Sequence, residues 1–437
     1  MAKYFGTDGI RGVFGETITP VMAYQVGQSL KSVFNCDTVY IGRDTRQSGE
    51  TLHDSLAKGA MSQGMSVYDA GISSTPMMAH YSAKQSVLAI MITASHNPYL
   101  DNGIKLFNHG KKLTLDEELS IESFIDNALL DAVSQQGSHF KTDDITEHYM
   151  QLYGSFSFAK TPFKVAIDTA HGATYKIASA ILSDYVESLV ITGNQPNGEN
   201  INFACGSTHL EAIQKLMISH PSCTLGFSFD GDGDRVIAVD QNGNVIDGDL
   251  MIYVIARYLK SLNRLNKNTV VLTVMSNPGI IKALNADKID VILTDVGDKY
   301  VAETMRNHQL SLGGENSGHI ILSDYLHSGD GVLSAVIFMQ ALMVLKMDLP
   351  GLLNTVKLMP QKMVNVYNVN GDVITHDAVL EVINTVKARF NHEGKVLLRK
   401  SGTEPVVRIT LAYDNEVMLD EMMTLLKNAI ENYGRDS

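Results

Sequence analysis

Four short segments carry side chains that could do chemistry. The first is Thr93-Ala94-Ser95-His96-Asn97-Pro98, directly after an apolar run. Small residues followed by Asn-Pro force a turn. That sets Ser95 and His96 in a loop at the carboxyl end of a strand, where open α/β sheets put their ligands. A serine there can be a nucleophile, a phosphate carrier or an ordinary turn residue. Lys105 follows in Asp101-Asn102-Gly103-Ile104-Lys105, a cation able to lie against a phosphate or take part in proton transfer.

The second segment is Phe229-Asp230-Gly231-Asp232-Gly233-Asp234-Arg235, again at the end of an apolar run. Glycine lets the backbone curl so that the three carboxylates converge. Three oxygen donors with open positions suit magnesium, which also takes substrate phosphate and water. An EF-hand loop would need glycine at its sixth position and glutamate at its twelfth. Those positions hold Arg235 and Gln241, which excludes it. A solvated acidic turn is the other alternative, but like charges packed this tightly are costly without a cation.

The third segment, Gly313-Gly314-Glu315-Asn316-Ser317-Gly318-His319, flanks short polar side chains with glycines. It fits a loop that hydrogen-bonds sugar hydroxyls, and by itself fits a plain glycine-rich loop equally well. The fourth, Arg399-Lys400-Ser401-Gly402-Thr403-Glu404-Pro405 with Arg408 beyond, combines hydroxyls, a glycine turn and cations. It reads as a phosphate cradle or as a surface turn with unrelated cations. The N-terminal Gly6-Thr7-Asp8-Gly9-Ile10-Arg11-Gly12 adds a glycine-flanked arginine.

The elements that must hold these loops alternate between strand-length apolar runs and helix-length amphipathic stretches. Strands are expected at 39–42, 67–68 and 87–93, with a helix over 49–63. A second round has strands at 163–168, 189–192 and 225–229, with helices after Gly172 and His209. A third has strands at 270–274 and 291–294, separated by Asn277-Pro278, a helix cap followed by proline at the first helical position. Such alternation predicts α/β units. The last part, with strands at 363–369, 395–399 and 406–412 and helices at 377–390 and 416–432, suits a small α+β domain. Four domains follow, over 1–150, 151–250, 251–358 and 359–437. No internal sequence repeat is visible.

Composition bounds the possibilities. A chain of 437 residues suggests two to four domains. With 44% hydrophobic and 19% charged residues it is globular. The net charge of −13 argues against nucleic acid as a partner, and requires positive groups to be concentrated locally wherever an anion binds. No secretory signal is expected at the N-terminus, and the apolar run at 332–345 is too short to span a bilayer. Cys36, Cys205 and Cys223 have no metal-like spacing. A reducing cytoplasm is the simplest compartment.

In combination the segments resemble the α-D-phosphohexomutase family, over nearly the whole chain and in the family's order. The resemblance implies three related α/β domains plus a smaller C-terminal α+β domain around a central active-site cleft. The opening Tyr4-Phe5-Gly6-Thr7-Asp8-Gly9-Ile10-Arg11-Gly12 and the run Asn200-Ile201-Asn202-Phe203-Ala204-Cys205-Gly206-Ser207-Thr208-His209 are similar to the amino-sugar branch. That branch interconverts glucosamine 6-phosphate and glucosamine 1-phosphate through a phosphoserine and a 1,6-bisphosphate, and feeds UDP-N-acetylglucosamine and cell-wall synthesis.

By this resemblance Ser95 is the phosphorylated serine, and it binds one Mg2+ together with Asp230, Asp232 and Asp234. Arg11, His96, Lys105 and Arg235 surround the transferring group. Glu315, Asn316, Ser317 and His319 face the sugar, and Arg399, Ser401, Gly402, Thr403 and Arg408 hold the non-reacting phosphate. Glucosamine 1,6-bisphosphate is the expected primer and intermediate. A phosphosugar is the expected partner, with neither nucleic acid nor membrane, and a homodimer is compatible. Asn316 stands where the branch has glutamine, and Lys299 where arginine is expected. The nearest alternative is a glucose or mannose phosphate mutase of the same family. A metal-dependent phosphatase would not need the remote cradle, and a phosphosugar sensor would not need Ser95 and three aspartates.

Overall fold

The computed structural model describes residues 3–127, 131, 136–400 and 405–434. They form two compact units, one of Met1–Thr273 with Ile292–Leu349, the other of Val274–Val291 with Pro350–Ser437. The first unit contains three sheets.

The first sheet is built from β1 (Phe5–Gly6), β2 (Gly9–Val13), helix α1 (Pro20–Phe34), β3 (Thr38–Arg43), α2 (Ser48–Ser62), β4 (Ser66–Ile72), α3 (Thr75–Gln85), β5 (Leu88–Ile92), β6 (Asp101–Asn108), β7 (Lys111–Lys112), α4 (Leu115–Asp126), β8 (His139–Lys141) and α5 (Asp144–Gly154). Its strand order is β1-β2-β6-β5-β3-β4-β8, with β7 beside β6. Side chains alternate across a strand, and that alternation assigns the layers. Val39, Ile41 and Val67 pack with Leu30 of α1, Leu52 and Leu56 of α2 and Ile121 of α4. Tyr40, between Val39 and Ile41, points the other way and meets Tyr81 of α3. Local chemistry starts the helices. Thr19 accepts from the Met22 amide with Pro20 at the first turn, and Thr114 and Glu117 form a reciprocal capping box.

The second sheet comprises β9 (Lys164–Asp168), α6 (Ile177–Tyr185), β10 (Ser188–Thr192), α7 (Glu211–Ser219), β11 (Leu225–Phe229), β12 (Val236–Asp240) and β13 (Val245–Ile246), ordered β10-β9-β11-β12-β13. Helix α8 (Gly248–Ser261) leads to the third sheet, made of β14 (Thr269–Thr273), β15 (Asp290–Thr294), β16 (Leu312–Gly314) and β17 (Ile320–Leu322) in the order β15-β14-β16-β17. Between β14 and β15 runs α9 (Pro278–Ala286), which belongs to the second unit. Its Asn277 cap accepts from the Gly279 amide, as the Asn-Pro pair predicts. Helices α10 (Asp298–His308) and α11 (Gly331–Leu345) complete the first unit. All but the last residues of α11 are buried, and among the described residues no single helix is long and apolar enough to cross a membrane.

One feature recurs in all three sheets. The strand before each functional loop has a parallel neighbour, and the strand after the loop returns antiparallel: β5 to β6, β11 to β12, β16 to β17. Each loop is thus a hairpin tip tied at both ends. The return strands β6, β12 and β17 were not anticipated, because a parallel α/β pattern does not call for them.

The second unit also holds α12 (Leu349–Thr355), β18 (Gln361–Tyr367), α13 (Asp377–Arg389), β19 (Lys395–Lys400), β20 (Val406–Ala412) and α14 (Glu416–Gly434). Its antiparallel sheet, β18-β20-β19, packs Val407, Ile409 and Leu411 against Val379, Val386, Leu419, Leu426 and Ile430 of the two helices.

The α1–α2 crossing depends on two glycines. A Cβ on Gly27 would sit 2.1 Å from the Leu56 carbonyl oxygen, and one on Gly59 would sit 2.1 Å from that of Tyr24. Neither backbone can yield without moving a helix. Gly59→Ala should therefore destabilise the protein by about 1–3 kcal/mol, despite alanine's better helix propensity. A lowered thermal midpoint is the check.

Candidate active site

The Ser95 loop follows β5. Its backbone adopts φ 52° at Ser95, a left-handed conformation that non-glycine residues rarely take. The surroundings hold it there. Arg46 is buried and spends all five of its side-chain N–H donors on the site. Nε bonds Asp44 (2.9 Å), Nη2 bonds the carbonyls of Ser95 and Asn97 (both 2.9 Å), and Nη1 bonds those of Pro98 and Asp101. The Asn202 side-chain amide donates to the same Ser95 and Asn97 carbonyls at 2.8 and 3.0 Å. Thr93 accepts from the Ser95 amide at 2.9 Å and donates to Asp44 at 2.6 Å.

The aspartate loop follows β11 and lies against this turn. A Cβ on Gly231 would meet the Ser95 carbonyl oxygen at 2.5 Å, so only glycine permits the approach. Ser95 Oγ donates to Asp230 Oδ2 at 2.6 Å and lies 3.4 Å from His96 Nδ1. One oxygen from each of Asp230, Asp232 and Asp234 lies within 4.8 Å of the others, and all three residues are buried. Burial, then Asp232 and Asp234, push the Asp230 carboxyl well above its ordinary pKa. Oδ1 of Asp232 and Oδ1 of Asp234 are buried with no hydrogen-bond partner. Unpaired carboxylate oxygens in a buried cluster suit a hard divalent cation.

Positive charge interleaves with these acids. Lys105, on β6, is buried with Nζ 2.8 Å from Asp232, 3.0 Å from Asp234 and 2.9 Å from Asp8. Burial opposes its charge, but the three carboxylates outweigh it and hold its pKa well above the ordinary value. Asp8 also pairs with Arg11 and, at 2.6 Å, with Lys112. Lys112 in turn meets Asp298, which lies 3.5 Å from His319 Nε2. The Arg235 amide donates to Asp230 at 3.1 Å, and its guanidinium lies 3.8 Å from Asp234. His96 is driven down to about 4 by burial, then by Arg235 and Arg11, so it is neutral at pH 7.

The third loop joins through its backbone. Arg235 and His319 form a β-bridge, and the Gly318 carbonyl accepts from the Val236 amide at 3.1 Å. Glu315 is buried and accepts from the Gly297 amide at 3.0 Å and from Ser317 Oγ at 3.4 Å. The Asn316 carbonyl accepts from the Gly248 amide at 3.0 Å. Lys299 donates to Glu118 at 2.9 Å.

The first unit thus brings together Ser95, His96, Lys105, Arg11, the three aspartates, Arg235 and the Glu315–His319 loop. Arg399 and Arg408 belong to the second unit, where they stand directly opposite each other on β19 and β20. Like charges so placed repel, and an anion would relieve that repulsion. Ser401, Gly402 and Thr403 lie outside the described residues. The sequence reading missed Asp8, Asp44, Arg46, Lys112, Asn202, Asp298 and Thr75, whose hydroxyl donates to Asp232 Oδ2 at 2.5 Å. Asp44 and Arg46 did carry a signal, as charged residues at the carboxyl end of β3. Lys112 and Thr75 carried none.

Comparisons with known proteins cover nearly the whole chain. It matches phosphoglucomutase/phosphomannomutase alpha/beta/alpha domain I over residues 2–131, domain II over 143–243, domain III over 247–358, and the C-terminal domain over 356–422. It is 39% identical, over an alignment 445 positions long, to a phosphoglucosamine mutase of Bacillus cytotoxicus, covering 99% of both chains. It is 41% identical over 423 residues to one of Geobacillus thermodenitrificans, covering 94% of both. Among solved structures, a phosphoglucomutase/phosphomannomutase family protein of Burkholderia thailandensis superposes with a TM-score of 0.80 at 22% identity, over 99% of this chain and 98% of that one. N-acetylphosphoglucosamine mutase of Aspergillus fumigatus, in complex with GlcNAc-6P and magnesium, gives 0.70 at 17% identity over 99% and 96%.

Lys105 is the cation shared by three buried carboxylates. Lys105→Met should destabilise the protein by about 3–5 kcal/mol, because it leaves buried charge uncompensated. Added Mg2+ should restore part of the lost thermal midpoint, and a midpoint equal to that of the parent chain would contradict the charge assignment.

Proposed function

The chain belongs to the phosphoglucomutase/phosphomannomutase family, and on that premise we propose that it is an enzyme interconverting glucosamine 6-phosphate and glucosamine 1-phosphate. One observation carries the chemistry: the hydroxyl of a serine with a left-handed backbone at a strand end lies 2.6 Å from a buried aspartate triad, two of whose oxygens have no hydrogen-bond partner. The amino-sugar substrate is supported by relatives near 40% identity over almost the full chain that bear the phosphoglucosamine mutase name.

In this reading Ser95 carries a phosphoryl group and gives it to the free hydroxyl of the bound sugar phosphate. The Ser95 Oγ–P bond breaks, the sugar O–P bond forms, and the hydroxyl proton leaves to a base. His96, neutral and beside Ser95 Oγ, can take that proton. The resulting glucosamine 1,6-bisphosphate turns over, and its other phosphoryl group returns to Ser95. Asp230, Asp232 and Asp234, with an oxygen of the Ser95 phosphate, would hold one Mg2+, which when bound neutralises charge on the group in transfer. Arg11, Lys105 and Arg235 add fixed positive charge around the same group.

Glu315, Asn316, Ser317 and His319 are assigned to the sugar. Arg399, Ser401, Gly402, Thr403 and Arg408 are assigned to the phosphate that is not reacting. Arg46 and Asn202 fix the backbone that carries Ser95 and are positioning residues. The expected compartment is the cytoplasm, which suits the free thiols of Cys36, Cys205 and Cys223.

Three experiments test the proposal. Ser95→Ala should abolish turnover of glucosamine 6-phosphate assayed with Mg2+ and bisphosphate primer. For the parent enzyme, kcat/KM should be higher with glucosamine 6-phosphate than with glucose or mannose 6-phosphate. The reverse order would retain the family and reject the amino-sugar assignment. Arg408→Ala should lower kcat/KM about ten- to a hundredfold, the equivalent of one charged hydrogen bond to phosphate, with Mg2+ affinity unchanged. If Mg2+ affinity falls instead, Arg408 does not hold the distal phosphate.

A further inference from the structure

A second group of metal-ligand side chains lies away from the aspartate triad, where α2 packs on the edge of the first sheet. It comprises His53 of α2, Asp69 of β4 and His139 of the edge strand β8. Sheet register explains why they meet. β8 runs parallel to β4 with His139 opposite Val67. Asp69, two residues beyond Val67, shares its face, and that face is the one α2 covers. One donor atom from each of the three lies within 4.8 Å of the others.

His53 is unusual. Its side chain is only 3% exposed, and Nε2 has no hydrogen-bond partner. Nδ1 lies 3.3 Å from the Asp54 carboxylate, which cannot donate, so Nδ1 carries the hydrogen. That leaves the lone pair on Nε2, which lies 3.4 Å from Asp69 Oδ1 without hydrogen-bond geometry. Two electron-rich atoms therefore lie close together, with no hydrogen bond joining them. A proton on Nε2 would relieve this, but burial lowers the His53 pKa, so the neutral ring is the form the interior favours.

Asp69 is already oriented for ligation. Its Oδ1 accepts from the Gly71 amide at 2.8 Å and from Arg43 at 3.2 Å, while Oδ2 has no hydrogen-bond partner among the described residues. The His139 ring is exposed and meets His53 edge to face at 5.6 Å.

We propose that His53, Asp69 and His139 form a second metal site, selective for a late first-row divalent cation such as zinc. Two imidazoles and one carboxylate are nitrogen-rich donors that suit zinc, nickel or cobalt and not magnesium. The Asp54–His53 contact is the carboxylate–histidine arrangement that fixes a ligating tautomer. Tetrahedral donors about 2.0–2.2 Å from the ion stand roughly 3.5 Å apart, so the cluster must tighten, and the exposed His139 ring can supply that movement. A bound cation would staple β8 to α2.

Cobalt is the probe. Full-length protein in excess Mg2+ should take up one equivalent of Co2+ with the intense visible absorption of a four-coordinate nitrogen–oxygen site. His139→Ala, which removes an exposed side chain and leaves the core intact, should weaken that uptake at least tenfold. His53→Gln should do the same, with its folding checked by circular dichroism. Asp232→Asn should retain the absorption. No such equivalent in the parent protein, or undiminished uptake in His139→Ala, overturns the proposal. So does uptake lost in Asp232→Asn but kept in His139→Ala, which would put the cation on the aspartate triad.

Discussion

Carboxylates packed together inside a protein must be matched by positive charge, and the arrangement around Asp230, Asp232 and Asp234 follows from that constraint. Desolvation alone would cost several kcal/mol per ion. The chain answers with an alternating network: Lys105 among Asp8, Asp232 and Asp234, Lys112 between Asp8 and Asp298, and His319 beyond Asp298. These groups come from all three sheets of the first unit. The loops are therefore held together by electrostatics as well as by packing, and each depends on the others for its charge balance.

The network is incomplete on one side. Two aspartate oxygens have no hydrogen-bond partner, so the site keeps a negative opening where a divalent cation is favoured. Ser95 is held at that opening by contacts to its backbone and not only to its hydroxyl. Arg46 and Asn202 grip the carbonyls of the turn, which leaves Oγ free to react while the chain beneath it stays fixed. This is how a serine can keep a left-handed backbone that its side chain does not favour.

Much of this was legible in the sequence. Ser95 and the three aspartates were readable because their neighbours are turn formers that follow apolar strands. Asn277-Pro278 gave the start of α9 because cap chemistry is local. Lys105 was readable as a nearby cation, but not as the centre of an ion cluster, since its partners are distant in the chain. Lys112 looks like an ordinary surface cation until the sheets bring Asp8 and Asp298 to it. The return strands were missed because nothing in an alternating strand–helix pattern marks the point at which a sheet reverses direction.

The antiparallel return of β6 has a consequence for how this protein can change over time. Lys105 reaches its carboxylates only because it stands on the correct face of an eight-residue strand. Faces alternate residue by residue, so sliding β6 by a single position would turn Lys105 out of the cluster and carry Ile104 into it. The turn between β5 and β6 can vary in length only where the alignment of the strands survives. Inheritance at this hairpin is thus governed by parity: one ammonium group constrains the alignment of a whole strand, including residues that never approach the substrate.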